Sequence, residues 1–597
     1  MALAALTTYY LAVSWRRWPD PLVDFGFDLY RAWRIAQGAV LYRDVDTFYG
    51  PLSQYINAAI FVVFGPGIMH LVWVNLAVFG VILVTLYCLL RRAWGPPAAF
   101  VGCAVFVSVF GFSQFVGVSA YTYAAPYTHE TTHGVLVLLL LLVVLGRWLE
   151  KPDRLGAFLA GILLGLTALL KLEILFAALS LTVAAAALHR QRRREFGVRS
   201  VFTWLAGAVL PTLLFFGYFL KHLSLRDAWD GAGHAWLEFS ATAALASGPV
   251  QMGFLGFDEP WANLIQHVEA VSIALMIIAA VLIPGRMADR TTGRLTYAAI
   301  TVVTVAAAGG AGLWAVSWIN VGRCLLGLMA LYLTWCLLAV PHCRYAVSTN
   351  IRDLRVLSAV LAVALMARMM LNGRIYQYGF YQAAAAGTVL PAILLGESAD
   401  WVGAQRRGRR VIMAGLLALL LGGTVTLTAQ SQRMWRSKTY AVGQDADRFY
   451  AFPPEISRMA QTVHLLTQVV SQRTADRTLL VLPDGWMVNY LARRPSPLAP
   501  FIFFSMTTEQ GREARLVDEL ARRPPDLVVV ISRDLQGYGI QRYGESVGEG
   551  QLLLQWVAAH YTVLTRVSPN PADPTRFRAV VLRKNAIPDN VCPTRDS

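Results

Sequence analysis

Residues 20–57, DPLVDFGFDLYRAWRIAQGAVLYRDVDTFYGPLSQYIN, gather Asp20, Asp24, Asp28, Asp44 and Asp46 beside Arg31, Arg34 and Arg43 in a chain that is 56% hydrophobic. Asp24 and Asp28 are four apart and Arg31 follows three later, so a helix through DFGFDLYRAWRIA puts all three on one face. A carboxylate at a membrane surface loses solvation, which lifts its pKa toward the working range, while a neighbouring Arg or metal keeps it ionised. That is the setting of a general base. The plain alternative is a solvated loop whose charges pair with one another.

A second cluster is YTYAAPYTHETTHG, residues 121–134. His129-Glu130-Thr131-Thr132-His133 matches H-E-x-x-H, in which two His on one helical face hold zinc and the Glu activates water. The motif follows Pro126, carries two β-branched residues at its centre and has no evident third ligand nearby. An intramembrane zinc metalloprotease is therefore a rival reading, and His and Glu capping a helix N-terminus is the plain one. A third role is binding a metal or a substrate phosphate beside the first loop.

Cations complete the candidates. Lys171 and Glu173 interrupt an apolar stretch at LLKLEI, Arg323 follows SWINVG, and Arg374 stands in LNGRIYQYGFYQ, the tyrosine-dense loop around position 379, where Gly379 lies between Tyr378 and Phe380. Arg makes bidentate contacts with phosphate, so such loops at bilayer level suit a lipid-phosphate head group. Snorkelling and interfacial anchoring are the ordinary alternatives.

The elements that must position these residues are membrane spans. With 15% charged residues and a mean hydropathy of +0.49, the 597-residue chain is far from a soluble enzyme, in which about a quarter of residues are charged. Apolar runs near 1–15, 69–90, 98–115, 133–149, 156–171, 173–188, 200–220, 264–284, 295–316, 324–341, 356–372, 384–396 and 411–429 predict about thirteen spans. The net charge of +16 sits in short loops between the runs, where Lys and Arg act as topology signals, so nucleic acid is set aside. Those basic loops share one side, the cytoplasmic one. The first outer loop (16–68), the second (116–132), the long loop 221–263 and everything beyond about 430 then face outward. The opening segment MALAALTTYYLAVSW lacks the basic region and cleavage site of a secretory signal and reads as a retained first span; its marginal length leaves room for a longer native span beginning upstream. Cys88, Cys103, Cys324, Cys336 and Cys343 fall in or beside spans and Cys592 stands alone, so no disulfide framework is expected.

Beyond Trp435 the composition becomes that of a soluble domain. TLLVLPDG and DLVVVISRD read as buried strands, QTVHLLTQVVSQ, TEQGREARLVDELARR and EGQLLLQWVAAHY as helices, and YTVLTRV and RFRAVVLRK as closing strands. This predicts a membrane module over 1–430 and a small outer α/β domain over 431–597, with no Walker loop and no dinucleotide fingerprint. A transporter or non-catalytic scaffold is a third reading; no repeated halves are visible, and the polar clusters lie at one face rather than the midplane.

At this point the chain resembles a known class. VDFGFDLYRAWRIAQGAVLYRD followed by YGPLSQY, with PYTHETTHG, LLKLEI, YQYGFY, LPDGWMVNYLARRPSP and RRPPDLVVV, is similar to the bacterial relatives of dolichyl-phosphate-mannose protein mannosyltransferases, members of the GT-C superfamily of glycosyltransferases. The resemblance implies a polytopic α-helical membrane enzyme of the bacterial inner membrane with an extracytoplasmic C-terminal domain. It would invert the anomeric centre while moving a sugar from a polyprenyl-phosphate-linked donor to an acceptor glycan, lipid or protein. Asp24 matches the acid of the first outer loop. Many relatives carry Asp-Glu there, whereas this chain has Asp24-Phe25, so Asp28, Asp44 and Glu130 become candidates for the second carboxylate. The leaving lipid phosphate would sit near Lys171, Arg323 and Arg374. A divalent metal (Mg, Mn or Zn), which some superfamily members use, would be held by His129, Glu130 and His133 or a first-loop Asp.

Overall fold

The computed structural model describes residues 1–22, 24–193, 198–237, 249–338, 348–500, 502–503, 511–538, 540–567 and 579–585. Glu238 of the long loop, Cys343, Cys592 and the leading residues of the last expected strand, Arg576 to Arg578, lie outside them.

The protein is a polytopic α-helical membrane protein with a small C-terminal α/β region. Among the described residues eight helices are long and apolar enough to cross a membrane: Ile68–Trp94, His129–Glu150, Leu172–Arg192, Arg199–Phe219, Met252–Arg290, Arg294–Ala315, Gly379–Trp401 and Arg406–Ser437. Shorter apolar helices are Ala2–Ser14, Leu52–Phe64, Pro96–Gly111, Arg154–Ala168 and Gly322–Leu338, and Thr349–Met366 joins them. Each apolar run of the sequence falls on one of these helices. The LLKLEI stretch is broken as its charges suggest: Leu169–Lys171 turn the chain between Arg154–Ala168 and Leu172–Arg193.

The first loop is more regular than its charges suggest. It contains the expected helix Asp24–Ala36, whose inner face buries Phe25, Asp28, Leu29, Arg31 and Ala32, and a second helix, Leu52–Phe64. That second helix is inverted relative to a water-soluble one. Ser53, Gln54 and Asn57 are fully buried, while Val62, Val63 and Phe64 are 69%, 72% and 62% exposed. An apolar outer row on a helix too short to span is the mark of an element lying in the membrane interface. Its polar row therefore points inward, to the site.

In the C-terminal region the strands run in the spatial order Leu479–Leu482, Leu527–Ile531, Ala579–Lys584, Tyr561–Val567, the first pair parallel and the others antiparallel. Helices Met459–Ser471, Arg512–Arg522 and Gln551–His560 accompany them. The ribbon Tyr440–Val442 with Phe449–Ala451 and the helix Trp486–Leu491 were not expected from the sequence.

The helix Trp486–Leu491 is what seats this region on the membrane module. It lies across Asp24–Ala36 at Gly26, where a Cβ would come 2.6 Å from the backbone nitrogen of Met487. The Tyr30 ring packs tilted against Trp486, centroids 4.5 Å apart, and its hydroxyl accepts a hydrogen bond from the Ser496 backbone at 2.7 Å. Gly26→Ala is expected to lift this helix at a cost of about 1–3 kcal/mol, the range for overpacking. A lower melting temperature of the purified protein checks it; unchanged melting would show that the contact yields.

Candidate active site

Asp24 opens the Asp24–Ala36 helix and keeps partial exposure. The Tyr121 hydroxyl donates to its Oδ2 at 3.3 Å. Burial lifts the carboxyl to about 7, and the nearby Asp20 charge adds to this, while Arg533 and the Tyr121 hydrogen bond oppose it. A partly exposed carboxylate poised near neutrality can take a proton from an incoming hydroxyl.

One turn along, Asp28 has the opposite fate. It is completely buried, and its Oδ2 accepts from the His129 backbone N–H at 2.8 Å and from His129 Nδ1 at 2.7 Å. Gln54 Nε2 lies 3.4 Å and Arg31 Nη1 3.7 Å from Oδ1. Burial pushes this carboxyl up, but the His129 hydrogen bonds and the Arg31 charge outweigh it and hold it below the usual range. Asp28 joins helices and is not free to exchange protons with a substrate. Asp44 lies apart, paired with Arg43 at 2.8 Å and accepting from the Val40 N–H at 2.8 Å; the structure does not bring it to Asp24.

The H-E-x-x-H residues stand at the start of helix His129–Glu150, and their side chains bond to neighbouring elements. His129 gives Nδ1–H to Asp28, and its Nε2 accepts from Asn75 Nδ2 at 3.1 Å. Glu130 accepts from Gln54 at 2.7 Å and from Thr128. His133 Nδ1 meets Ser53 Oγ at 3.0 Å. Among the described residues no group of three or more His, Cys, Asp or Glu is arranged to hold a metal. Among the described residues His129, Glu130 and His133 form no metal centre, and the bonds of His129 and Glu130 speak against the zinc-protease reading. They fasten both first-loop helices to the membrane module. Zinc titration of the purified protein is expected to give equal stoichiometry for the wild type and His133→Ala; a site lost in the variant would reverse this assignment.

The cationic half of the site is built around the turn after Leu170. Gly50 and Leu52 donate backbone hydrogen bonds to Leu170 and Leu169 at 2.7 and 3.1 Å, which pins the first loop to that turn. Lys171 is buried, bonded to the Tyr127 hydroxyl and paired with Glu173 at 3.0 Å. Its Nζ lies 4.8 Å from the rings of Tyr49 and Tyr127 and 5.6 Å from those of Tyr378 and Tyr381. Arg368 reaches the same Glu173 oxygen at 2.6 Å and covers Tyr378 at 4.8 Å. Two cations against one carboxylate, beneath a tyrosine wall, leave a net positive charge for an anion to meet. Tyr378 joins the two halves: its ring is 5.8 Å from Tyr121, which holds Asp24, and 5.0 Å from Tyr127, which holds Lys171.

Arg374 packs on Phe254 at 4.8 Å and Tyr376 at 5.6 Å, with its charge also facing Tyr378 and Tyr121. Gly379 begins the next helix, and the tyrosines that line the site are Tyr378 and Tyr381. Arg323 stands beside Arg374, since the Gly322–Arg323 backbone packs on Gly373–Arg374, and its charge is felt by His267. Arg368, Tyr121 and Arg533 were not singled out from the sequence. A lone Arg within the apolar run ALMARMML was the available signal for Arg368, since a charge inside a span usually has a function.

No family model and no curated protein sequence matches the chain. Solved structures do. The oligosaccharyltransferase of Archaeoglobus fulgidus, crystallised with Zn and sulfate, aligns over 95% of this chain and 72% of its own at 13% identity, with a TM-score of 0.50. The same enzyme tethered to an acceptor peptide containing an NVT sequon gives the same figures: 13%, 95%, 72% and 0.50. ArnT of Cupriavidus metallidurans bound to undecaprenyl phosphate aligns over 97% of both chains at 13% identity, with a TM-score of 0.44. The chain thus shares the membrane fold of the Archaeoglobus fulgidus oligosaccharyltransferase.

Proposed function

We propose that the protein is an inverting glycosyltransferase that moves a sugar from a polyprenyl-phosphate carrier to an acceptor hydroxyl at the outer face of a bacterial inner membrane. The observation that carries this reading is a two-part arrangement: a carboxylate near neutrality, Asp24, set one tyrosine layer from the buried Lys171–Glu173–Arg368 cluster. The fold of an oligosaccharyltransferase that takes an acceptor peptide agrees with it.

In the proposed step Asp24 Oδ2 accepts the acceptor's hydroxyl proton as that oxygen attacks the anomeric carbon. The bond from that carbon to the phosphate oxygen breaks on the opposite side, and the phosphate leaves with a charge that Lys171 and Arg368 meet. Tyr121 holds the base at the angle its hydrogen bond sets, and the ring of Tyr378 separates base from cations so that neither neutralises the other. Arg374, whose charge faces Tyr378 and Tyr121, is a further cation that would meet the same phosphate as it departs. The acceptor would approach over the long loop and the C-terminal region, here read as an extracytoplasmic domain from about residue 431.

Asp24→Asn is expected to lower transfer from a polyprenyl-phosphate sugar by at least about 100-fold, the usual worth of a general base. Wild-type transfer in that variant would remove Asp24 from the role. Because the base form is the deprotonated one, kcat/KM should fall about tenfold per pH unit below pH 7 and level off above it. A flat profile across pH 5.5–8.5 would count against this ionisation being the one that matters.

A further inference from the structure

The C-terminal domain meets the membrane module at the carboxyl ends of its two parallel strands. Leu479–Leu482 and Leu527–Ile531 run side by side in register, Leu482 against Val530, and in α/β folds that end is where ligand-facing residues gather. Here it faces the first loop. A Cβ built on Gly485 would come 3.1 Å from Ile531 Cδ1 and 3.3 Å from Leu22 Cδ1, so Leu22 abuts the ends of both strands. Arg533 stands two residues past Ile531, and Asp24 two residues past Leu22. The turn Gln536–Tyr538 then packs on helix Pro249–Leu255, whose Phe254 ring is 4.8 Å from Tyr378. The chain around Arg533 is fixed by elements that also border Asp24.

Arg533 is 15% exposed and pairs with Asp484, itself 2% exposed at the end of the neighbouring strand. Its guanidinium also lies 5.8 Å from the centre of the Tyr538 ring. Asp484 Oδ1 is buried without a hydrogen-bond partner among the described residues, so this is not a saturated structural lock. Burying such a pair is costly, which favours a reason beyond stability for keeping it.

We infer that Arg533 is a positioning residue for Asp24: the C-terminal domain carries this guanidinium into the pocket, where it faces and orients the carboxylate of the proposed base. The inference rests on the reading of Asp24 as that base. Asp24 is faced by Asp20 before its helix, Asp28 on it, Tyr121 of the second loop, Tyr378 of the late loop, and Tyr538 with Arg533 from the C-terminal domain. Burial and the Asp20 and Asp28 charges disfavour the ionised carboxylate, and Arg533 opposes them. The membrane module is then an incomplete site, and seating Trp486–Leu491 on Gly26 is what brings the charge to it.

The test uses full-length protein in lipid nanodiscs, with Arg533→Met and Arg533→Gln as neutral variants and Arg533→Lys as the charge-retaining one. The Asp24 carboxyl is titrated by infrared spectroscopy without substrate, its band assigned by disappearance in Asp24→Asn. The neutral variants are expected to raise the midpoint by about one pH unit, which is about tenfold lower transfer on the rising limb, with the deficit shrinking at alkaline pH. Arg533→Lys should stay near the wild type. A neutral variant titrating as the wild type overturns the inference, and so does a Lys variant titrating as the neutral ones. A shifted midpoint in a protein that transfers no sugar removes the proposed function but keeps the coupling. Transfer with an unshifted midpoint removes the coupling alone.

Discussion

The architecture of the site depends on one buried carboxylate. Asp28 has no contact with solvent, and an isolated charge there would cost several kcal/mol. It is tolerated because donors converge on it from three helices: the backbone and ring of His129, the Gln54 amide and its own Arg31. The first-loop helix cannot turn about its axis without orphaning that charge. Asp24, one turn earlier on the same face, is carried into place by this lock, and the Tyr121 hydroxyl then holds its carboxylate. The polar row of Leu52–Phe64 extends the same arrangement, since Gln54 serves Asp28 and Glu130 while Ser53 serves His133.

Two aspartates on one helical face therefore do different work because their surroundings differ. Asp28 is surrounded by donors and is held ionised. Asp24 receives one long hydrogen bond, feels Asp20 and rises toward neutrality. This division is the usual way in which a pair of carboxyl groups is split between structural and proton-transfer roles. It also answers the departure at Phe25, where many relatives of the resembled class carry a second acid. Phe25 is fully buried and stacks 6.0 Å from His129. An acid at that position would enter a filled apolar contact and not the cleft.

Much of this was legible in the sequence, and the failures share a cause. Hydropathy placed the helices because a span is defined by its own composition, and the three-residue and four-residue spacings placed Asp24, Asp28 and Arg31 on one face because helix geometry is local. The HETTH motif is ambiguous in the sequence because its spacing is compatible with metal binding, whereas the contacts it makes come from Asn75, Gln54 and Ser53 on two other helices. Asp44 looked equivalent to Asp28 by composition, and only the fold shows one half-exposed beside Arg43 and the other sealed. Arg368 and Arg533 were missed because each meets the site across nearly two hundred residues or more: Arg368 pairs with Glu173, and Arg533 approaches a loop at the opposite end of the chain. Likewise the helix Leu52–Phe64 was passed over because its inverted pattern has meaning only once one side is known to face lipid.

The charge layout itself carries an argument. Were Lys171 to touch Asp24, the opposite charge would depress the carboxyl by one to three units and leave it a poor base at neutral pH. The structure avoids this by giving the cations another acid. Glu173 takes Lys171, Arg368 and the Tyr381 hydroxyl on a single oxygen, and four tyrosine rings cover Lys171. An aromatic face attracts a cation without supplying a full negative charge, so positive field is retained for the phosphate that the proposed reaction would release. Tyr378 and Tyr121 then stand as spacers between this field and Asp24. A reaction that must remove a proton from one group while releasing an anion from another needs that separation, and a site with either half alone could do only one of the two.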